Sequence, residues 1–332
     1  MEKIKIKIIA RGGDSLSWAR QLPKSDPFLD QFKFIWRADV LDYDWLVVID
    51  DLSRSLRAKP ERLKCSDEHT LLVTTEPDSI TKYGRAFCAQ FAHVLTSQPL
   101  HSLTHPNRIY SHTGNLWFND HSFEELEGQP FPGKVNNLST VCSNKQQKYT
   151  LHKNRHDFCH WLKDQLPELE IYGHGTRYIE HKYEALDSFR FHLAIENYVG
   201  RHHWTEKLAD SFLSGAFPIY YGCTNLEDYF PVESFLQIDI FEPEESLAKI
   251  RAVTEDKAFY SSKITALNEA RYRVMYQHNL LFMIGKLVEE NYNINRLQSG
   301  RPMYGRKQIR LKRPSEAVRH LSWNFKRHFK SI

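Results

Sequence analysis

Two successive blocks of alternating strand-like and helix-like segments dominate the 332-residue sequence. The first block starts with Lys3–Ala10, where charged and apolar residues alternate with the period of two that is typical of a β-strand. A helix is predicted at Ser79–Phe91, and the block's other predicted strands are Lys33–Trp36, Trp45–Ile49, Thr70–Thr75 and His93–Thr96. Alternation of this kind predicts the α/β class, a sheet covered by helices.

A loop-rich stretch at 128–133, Gly-Gln-Pro-Phe-Pro-Gly, separates this block from a second one of the same kind. The second block's predicted elements are strand Leu138–Ser143, helix Arg155–Leu166, strands Leu169–Tyr172 and Phe191–Ile195, helix Thr205–Ser214, strands Phe217–Tyr221 and Phe235–Ile240, helix Pro243–Glu255 and a long helical stretch, Phe259–Asn291. We therefore predict two α/β domains, residues 1–130 and 131–295, and a tail at 296–332. Open α/β sheets bind ligands beyond the carboxyl ends of their strands, where we expect the functional residues.

Charge is distributed unevenly along the chain. Residues 301–332 contain ten Lys or Arg and one acid, a net charge of +9, whereas the whole chain carries +4. The preceding 300 residues therefore carry −5, which argues against a nucleic-acid-binding body, since such a body has basic side chains clustered on its folded surface. We expect no nucleic-acid partner.

The tail has the pattern of a basic amphipathic helix. Its apolar residues recur at intervals of three or four and share one helix face: Val318, Leu321, Phe325, Phe329 and Ile332. A helix of this kind is typical of an anchor on an anionic membrane surface. The alternative is a helix that packs its apolar stripe on the protein body.

Other sequence features indicate a cytoplasmic protein. The five cysteines are odd in number and form no C-x-x-C motif, so neither a disulfide framework nor a cysteine-rich zinc site is predicted. Met1–Ala10 alternates Lys with Ile and does not resemble a signal peptide. No apolar run approaches the roughly 20 residues of a membrane span. We expect a peripheral position on the cytoplasmic face of the inner membrane, mediated by the tail.

The richest segment for chemistry is residues 191–222. Thr205 is a plausible N-cap of the helix that follows, and a helix N-terminus offers free N–H groups to a diphosphate. Lys207 would add a positive charge, Glu206 can accept hydrogen bonds from ribose hydroxyls, and Asn197 follows a strand end. An ordinary capped helix, with an acid in its first turn for electrostatic reasons, is the alternative.

These residues resemble the donor-binding signature of glycosyltransferase family 10, the α-1,3/4-fucosyltransferases. The resemblance rests on Glu196-Asn197, then Glu206-Lys207 and the run Gly-x-x-Pro-Ile-x-x-Gly. It implies the GT-B fold, two Rossmann-like domains facing across a cleft, and GDP-fucose as the donor. It also implies donor-binding roles for Asn144, which ends the run Val-Cys-Ser-Asn, and for Arg155 in Arg-x-x-Phe.

The same resemblance extends into the N-terminal half. The segment Val73–Ile80 is similar to the family's acceptor-side segment, which implies that Glu76 is the catalytic base and Asp78 its acceptor-side neighbour. His203 occupies a donor-side position where the family commonly has Tyr. This departure leaves open a second hypothesis, the same fold with a different nucleotide sugar. A third hypothesis is a catalytically idle glycan-binding protein.

Inverting transfer of L-fucose to a hydroxyl of a surface glycan, such as lipopolysaccharide, needs a base for the acceptor and cations for the leaving diphosphate. Arg155, Lys207 and the helix N-terminus can stabilise the diphosphate without metal, so no metal site and no cofactor are expected. The enzymatic alternative is a metal-dependent transferase that uses a D-x-D motif, for which Asp42-Tyr43-Asp44 is the candidate. We interpret these two acids as solvated turn residues.

Overall fold

The computed structural model describes residues 2–10, 15–53, 55–144, 150–293 and 297–329. The chain forms two compact units, each built around its own parallel sheet. The first unit is discontinuous and consists of Met1–Gly114 and Leu280–Ile332, and the second is Asn115–Asn279. This division differs from the predicted boundaries near residues 130 and 295, because the last 53 residues fold with the first 114.

The described strands, in chain order, are β1 (Ile4–Ala10), β2 (Phe32–Ile35), β3 (Trp45–Ile49), β4 (Glu61–Arg62), β5 (Thr70–Thr74), β6 (His93–Thr96), β7 (Arg108–Tyr110), β8 (Asn136–Val141), β9 (Glu170–Tyr172), β10 (Phe189–Gly200), β11 (Phe217–Cys223), β12 (Leu236–Gln237) and β13 (Pro302–Met303). The described α-helices are α1 (Ser15–Ala19), α2 (Arg85–Cys88), α3 (Phe123–Leu126), α4 (His152–Gln165), α5 (Glu206–Ser214), α6 (Pro243–Thr254), α7 (Phe259–Ser262), α8 (Ile264–Tyr272), α9 (Leu280–Asn291), α10 (Arg306–Lys312) and α11 (Pro314–Phe329). Among these residues, no helix combines the length and the apolarity that crossing a membrane requires.

The sheet of the first unit has the strand order β2-β1-β3-β5-β6-β7, and every pairing in it is parallel. Its central strands β3 and β5 are buried along their whole length, as expected for a sheet covered on both faces. The predicted helix Ser79–Phe91 is reduced to the short α2. Gly84, which precedes α2, has a φ of +89°, and this left-handed conformation prevents an earlier helix start.

The C-terminal segment completes the first unit. Strand β13 pairs antiparallel with β4, and Met303 and Ile309 pack in the core cluster that contains Leu46 and Leu72 of the sheet. Helices α1 and α2 are only five and four residues long, and the C-terminal segment adds apolar side chains to their unit's core. The predicted separate tail at 296–332 is therefore, over its described part, an integral piece of the first unit.

The sheet of the second unit has the strand order β12-β11-β10-β8-β9 and is also parallel throughout. Helix α5 is amphipathic and buries Leu208 and Phe212 next to β10 and β11. It ends at Gly215, whose φ of +70° is left-handed; a Cβ there would lie 2.2 Å from the ring of Phe131. The predicted long helix at 259–291 is interrupted by a π-helical turn, Arg273–Gln277.

Candidate functional site

A cavity of about 330 Å³ lies at the carboxyl edge of the second unit's sheet. Its wall contains Val141 and Ser143 at the end of β8, and Ile195 and Asn197 of β10. These two strands are neighbours in the sheet, and the strand order reverses between them because β9 lies on one side and β11 on the other. Open α/β sheets bind their ligands at such a reversal, so the topology favours this cavity as a ligand site.

The start of α5 is held by a buried carboxylate on β10. The pairing of β10 with β11 shifts register between Ile195 and Gly200, and Glu196 lies inside this irregularity with 0% of its surface exposed. Glu196 accepts hydrogen bonds from the backbone N–H (2.8 Å) and the hydroxyl (2.8 and 2.9 Å) of Thr205. The same hydroxyl accepts from the N–H of Lys207 at 3.4 Å, which confirms Thr205 as the N-cap. Glu196 thus fixes the N-cap residue, a role that the sequence interpretation did not assign.

The predicted residues Glu206 and Lys207 form a charged cluster with Glu196. The Nζ of Lys207 lies 2.9 Å from Oε1 of Glu206 and 3.4 Å from Oε2 of Glu196. Burial opposes ionisation of Glu206, but Lys207 and Lys182 outweigh it and lower the pKa of Glu206 to about 2. Burial also opposes the charge of Lys207, yet the two carboxylates raise its pKa. Both side chains are therefore ionised at neutral pH.

Lys182 is a further cation in the cavity wall. It stands on a 3₁₀ turn, Lys182–Ala185, and its Nζ lies 2.6 Å from Oδ2 of the fully buried Asp210 on α5. Burial raises the pKa of Asp210 to about 6, although the Lys182 charge acts in the opposite direction. Burial and the charge of Lys182 lower the pKa of the neighbouring His192 to about 3, so this imidazole is neutral.

Two buried polar atoms of the cavity-lining side chains lack a hydrogen-bond partner among the described residues. They are Nε of Arg155, a side chain on α4 with only 6% exposed surface, and Oδ1 of Asn197. A hydrogen bond from Cys159, together with the positive charge of Arg155 beside the thiol, lowers the pKa of Cys142 to about 6 although burial opposes this. An unsatisfied buried donor and an unsatisfied buried acceptor are costly, and a bound polar ligand would satisfy both.

The cavity brings together four of the predicted donor-binding residues and leaves two outside its wall. Arg155, Asn197, Glu206 and Lys207 line it. The exposed Asn144 lies apart from the wall, and its N–H donates to the carbonyl oxygen of His174 at 3.2 Å. His203 is buried outside the wall and contacts the ring of Tyr198 edge-on at 5.1 Å. The wall residues that sequence reasoning missed are His152, Lys182, Phe118 and His192.

The predicted base Glu76 lies in the first unit, directly beyond the carboxyl end of β5, and is half-buried. Its carbonyl oxygen accepts a hydrogen bond from Nε2 of Gln98 at 2.9 Å. Beside it, Asp50 accepts hydrogen bonds from the N–H (2.8 Å) and hydroxyl (2.5 Å) of Thr75 and from the hydroxyl of Tyr83. Asp50 follows β3 with a left-handed φ of 66°, which is uncommon outside glycine and marks a constrained position. The sequence interpretation did not identify Asp50.

Asp78 is anchored to a neighbouring loop. Its carboxylate accepts a hydrogen bond from the hydroxyl of Ser102 and lies 3.7 Å from Nε2 of His101. The segment that contains Glu76 and Asp78 is therefore held on one side by the Asp50 network and on the other by residues 101–102.

The D-x-D acids lie at the opposite edge of this sheet, before β3. Asp42 forms an ion pair with Nζ of Lys5 at 3.0 Å, and Asp44 accepts a hydrogen bond from the N–H of Lys5 at 2.8 Å. This supports the interpretation of both acids as structural turn residues. Within the described part of the chain, no group of three or more His, Cys, Asp or Glu side chains is arranged to hold a metal ion.

Comparison with known proteins finds sequence similarity mainly within the second unit. Residues 131–280 match the family model described as glycosyltransferase family 10 (fucosyltransferase), C-terminal part. The chain is 29% identical over 102 residues to the 4-galactosyl-N-acetylglucosaminide 3-alpha-L-fucosyltransferase 9 of Mus musculus, a match that covers 28% of each chain. It is 33% identical over 87 residues to an alpha-(1,4)-fucosyltransferase of Arabidopsis thaliana, which covers 26% of this chain and 22% of that one. The matched segment thus spans about a quarter of these curated relatives.

Solved structures extend the likeness to both units at the level of the fold. A crystal structure of an α1,3-fucosyltransferase with GDP-fucose superposes with a TM-score of 0.52 and 17% identity, covering 90% of this chain and 93% of the other. A crystal structure of an α1,3-fucosyltransferase with GDP superposes with a TM-score of 0.51 and 18% identity, covering 88% of this chain and 92% of the other. These values confirm the predicted GT-B fold.

Proposed function

We propose that the protein transfers L-fucose from GDP-fucose to a hydroxyl of a surface glycan such as lipopolysaccharide, with inversion at the sugar. The proposal starts from the match of residues 131–280 to the glycosyltransferase family 10 model. The observation that carries this proposal is the pair of unsatisfied polar atoms, Nε of Arg155 and Oδ1 of Asn197, in a cavity lined by cations at the sheet's reversal point. A nucleoside diphosphate supplies acceptor oxygens for the first atom and hydroxyl donors for the second.

The diphosphate binds at the N-terminus of α5 in this proposal. Arg155, Lys182 and Lys207 line the cavity and would neutralise the phosphate oxygens. Glu206 is ionised and half-buried, so its carboxylate would accept hydrogen bonds from the ribose hydroxyls. Because these cations are fixed before the reaction, they would also stabilise the charge that develops on the departing GDP.

Transfer needs one further group, a base for the acceptor. Glu76 would take the proton of the acceptor hydroxyl as its oxygen forms a bond to the anomeric carbon of fucose. The bond from that carbon to the phosphate oxygen breaks, and its electron pair leaves with GDP. Attack opposite the departing group inverts the configuration. The half-buried position of Glu76 at the carboxyl edge of the first unit's sheet supports this role.

The substitution Glu76→Gln tests the base. Loss of a general base typically reduces turnover by about 100- to 10,000-fold. Affinity for GDP should stay within about twofold, because the base acts on the acceptor. Glu290→Gln, an exposed position on α9 in the same unit, is the matched control and should leave turnover unchanged. Near-normal transfer by the Glu76→Gln variant would refute the assignment.

Two alternatives are separated by a panel of sugar nucleotides. Turnover of GDP-fucose supports the proposal, whereas turnover of another sugar nucleotide supports the same fold with a different donor, an idea motivated by His203. Binding without turnover of any donor supports a catalytically idle glycan-binding protein. Retention of the anomeric configuration in the product, read by nuclear magnetic resonance, would contradict inversion alone.

We further propose that α11 binds an anionic membrane, which would hold the protein at the cytoplasmic face of the inner membrane near a glycolipid acceptor. Val318, Leu321 and Phe325 are 65%, 66% and 64% exposed and form one stripe of the helix. This exposure supports the membrane proposal over the alternative, a stripe packed on the body. The side chain of Phe329 and all of Ile332 lie outside the described part of the chain.

The membrane proposal is tested with the double substitution Leu321→Ser and Phe325→Ser in the full chain. Deletion of the C-terminal segment is unsuitable, because Met303 and Ile309 belong to the first unit's core. Wild-type protein should sediment with anionic vesicles, and the double variant should lose most of this binding while its affinity for GDP is unchanged. Absence of wild-type binding, or full binding by the variant, would refute the proposal.

A further inference from the structure

A second and larger cavity, of about 560 Å³, lies entirely within the first unit. Its wall is formed by the segment 82–85, by the loop at 101–104, and by helices α10 and α11. The charged side chains of this wall are six cations and a single carboxylate: Lys82, Arg85, Arg306, Arg310, Arg319, Lys326 and Glu316. The proposed transfer reaction makes no use of this basic pocket.

Two of the six cations are already paired. The Nε of Arg306 lies 3.1 Å from Oδ2 of Asp51, which is outside the pocket. Arg319 lies 3.5 Å from the buried Glu316, and Glu316 also accepts a hydrogen bond from the N–H of Ala86 at 3.2 Å. The one carboxylate of the pocket wall is therefore engaged at the start of α2 and with Arg319.

The other four cations, Lys82, Arg85, Arg310 and Lys326, have no carboxylate within 4 Å among the residues that the structure describes. The pocket thus concentrates positive charge, which Asp51 and Glu316 offset only in part, at Arg310, from beyond 4 Å. His320 in the wall responds to this charge: burial and the nearby guanidinium groups, Arg310 first, lower its pKa to about 4. Its Nδ1 is buried without a hydrogen-bond partner in the described chain, while Nε2 contacts the amide of Asn324.

The pocket opens beside the apolar stripe of α11. Successive residues of an α-helix are rotated by about 100°, so Lys326 and Arg319 project on the pocket side, between the body and the stripe. Val318 belongs to both features, since it lines the pocket and begins the exposed stripe that continues with Leu321 and Phe325. A ligand in the pocket would therefore have an apolar surface next to it.

We propose that this basic pocket binds the phosphate headgroup of an anionic phospholipid, whose acyl chains lie along Val318, Leu321 and Phe325. Four cations with no carboxylate within 4 Å in the described chain would recognise a phosphate. The apolar rim favours a lipid over a soluble phosphate, which would leave that rim in water. The inference rests on the proposed membrane association of α11 and adds to it a headgroup site of defined residues.

The test compares two charge-matched double variants of the full chain. Arg310→Gln with Lys326→Gln removes two pocket cations, whereas Lys307→Gln with Arg313→Gln removes two exposed cations of the same region that lie outside the pocket. Binding is measured with phosphatidylcholine vesicles that contain about one-fifth phosphatidylglycerol, which provides an anionic surface. Diffuse attraction predicts equal losses for the two pairs. The pocket predicts a loss larger by about tenfold for the Arg310/Lys326 pair.

Equal losses for the two pairs would overturn the pocket while leaving the membrane proposal intact, and absence of wild-type binding would overturn both. The conservative pair Arg310→Lys with Lys326→Arg should retain binding, which excludes misfolding as the cause of the loss. Inorganic phosphate, titrated calorimetrically, should bind only in the millimolar range. If it binds as tightly as the vesicles, the pocket is a site for soluble phosphate and the lipid assignment is wrong. No outcome depends on sugar transfer, so the proposed enzymatic activity is judged separately.

Discussion

Arg155→Ala should weaken GDP binding without weakening the fold. Among the described residues, Nε of Arg155 is buried without a hydrogen-bond partner, an arrangement that costs about 1–3 kcal/mol. A phosphate oxygen at this atom would form a charge-assisted hydrogen bond worth about 1.5–3 kcal/mol. We therefore expect GDP affinity to fall by about 10- to 150-fold. Removing the unsatisfied donor offsets the packing lost with the side chain, so the free energy of unfolding without ligand should change by less than about 1 kcal/mol.

Calorimetric titration with GDP and with guanosine separates a phosphate contact from general damage to the site. Guanosine affinity should be unchanged in the Arg155→Ala variant, because the nucleoside lacks the diphosphate. Arg155→Lys keeps the charge but lacks the planar guanidinium, so it should bind GDP with intermediate affinity. Arg190→Ala, an exposed position at the start of β10, is the matched control. Unchanged GDP affinity in Arg155→Ala, or an equal loss for guanosine, would refute the assignment.

Three further outcomes are expected. Burial raises the pKa of Asp210 to about 6 despite Lys182, so its ionisation should remove about 2 kcal/mol of stability as pH rises from about 4 to 7. Urea unfolding of wild type and of Asp210→Asn at both pH values measures this loss, and a constant difference between the two proteins would contradict it. Gly222→Ala would place a Cβ 2.5 Å from Cγ of Glu196, so it should lower the free energy of unfolding by more than about 1 kcal/mol and weaken GDP binding. The control Gly133→Ala meets no atom within 4 Å and should change neither quantity. Transfer should persist in EDTA, and a complete loss that manganese restores would revive the D-x-D alternative.

The sequence predicted those donor-site residues whose positions depend on local secondary structure alone. Asn197, Glu206 and Lys207 occupy a strand end and a helix start, and these positions meet at the carboxyl edge of any parallel sheet. Lys182 was missed because it stands on a 3₁₀ turn, and only tertiary packing carries that turn to Asp210. A signal was available: Asp210 lies between Leu208-Ala209 and Phe212-Leu213, the apolar residues of an amphipathic helix, and a buried carboxylate needs a partner cation.

Backbone conformation explains where the predicted elements failed. The first part of the helix predicted at Ser79–Phe91 is not helical up to Gly84. In this part the Tyr83 hydroxyl donates to Asp50, and the Thr81 carbonyl oxygen accepts a hydrogen bond from Gln98. These partners come from strand ends distant in sequence, so no local pattern reveals them. By contrast, Trp45–Ile49 and His93–Thr96 have the predicted bounds, because runs of four or five residues that contain β-branched side chains are too short for helices and favour strands.

Dividing the sequence into consecutive domains could not predict that the C-terminal segment folds with the N-terminal one. The most prominent sequence feature of this segment is its charge of +9 over residues 301–332. A net charge predicts surface properties, and it does not predict where the segment's few apolar residues pack. Met303 and Ile309 enter the core of the first unit, and Asp51 fixes the entry by accepting hydrogen bonds from the N–H (2.9 Å) and Nε (3.1 Å) of Arg306. Because Asp51 follows β3 directly after Asp50, which holds the Glu76 segment through Thr75, the same strand end organises both the candidate base and the docking of the basic segment. Changes in the C-terminal segment that disturb Asp51 should therefore affect transfer even where they spare the affinity for GDP.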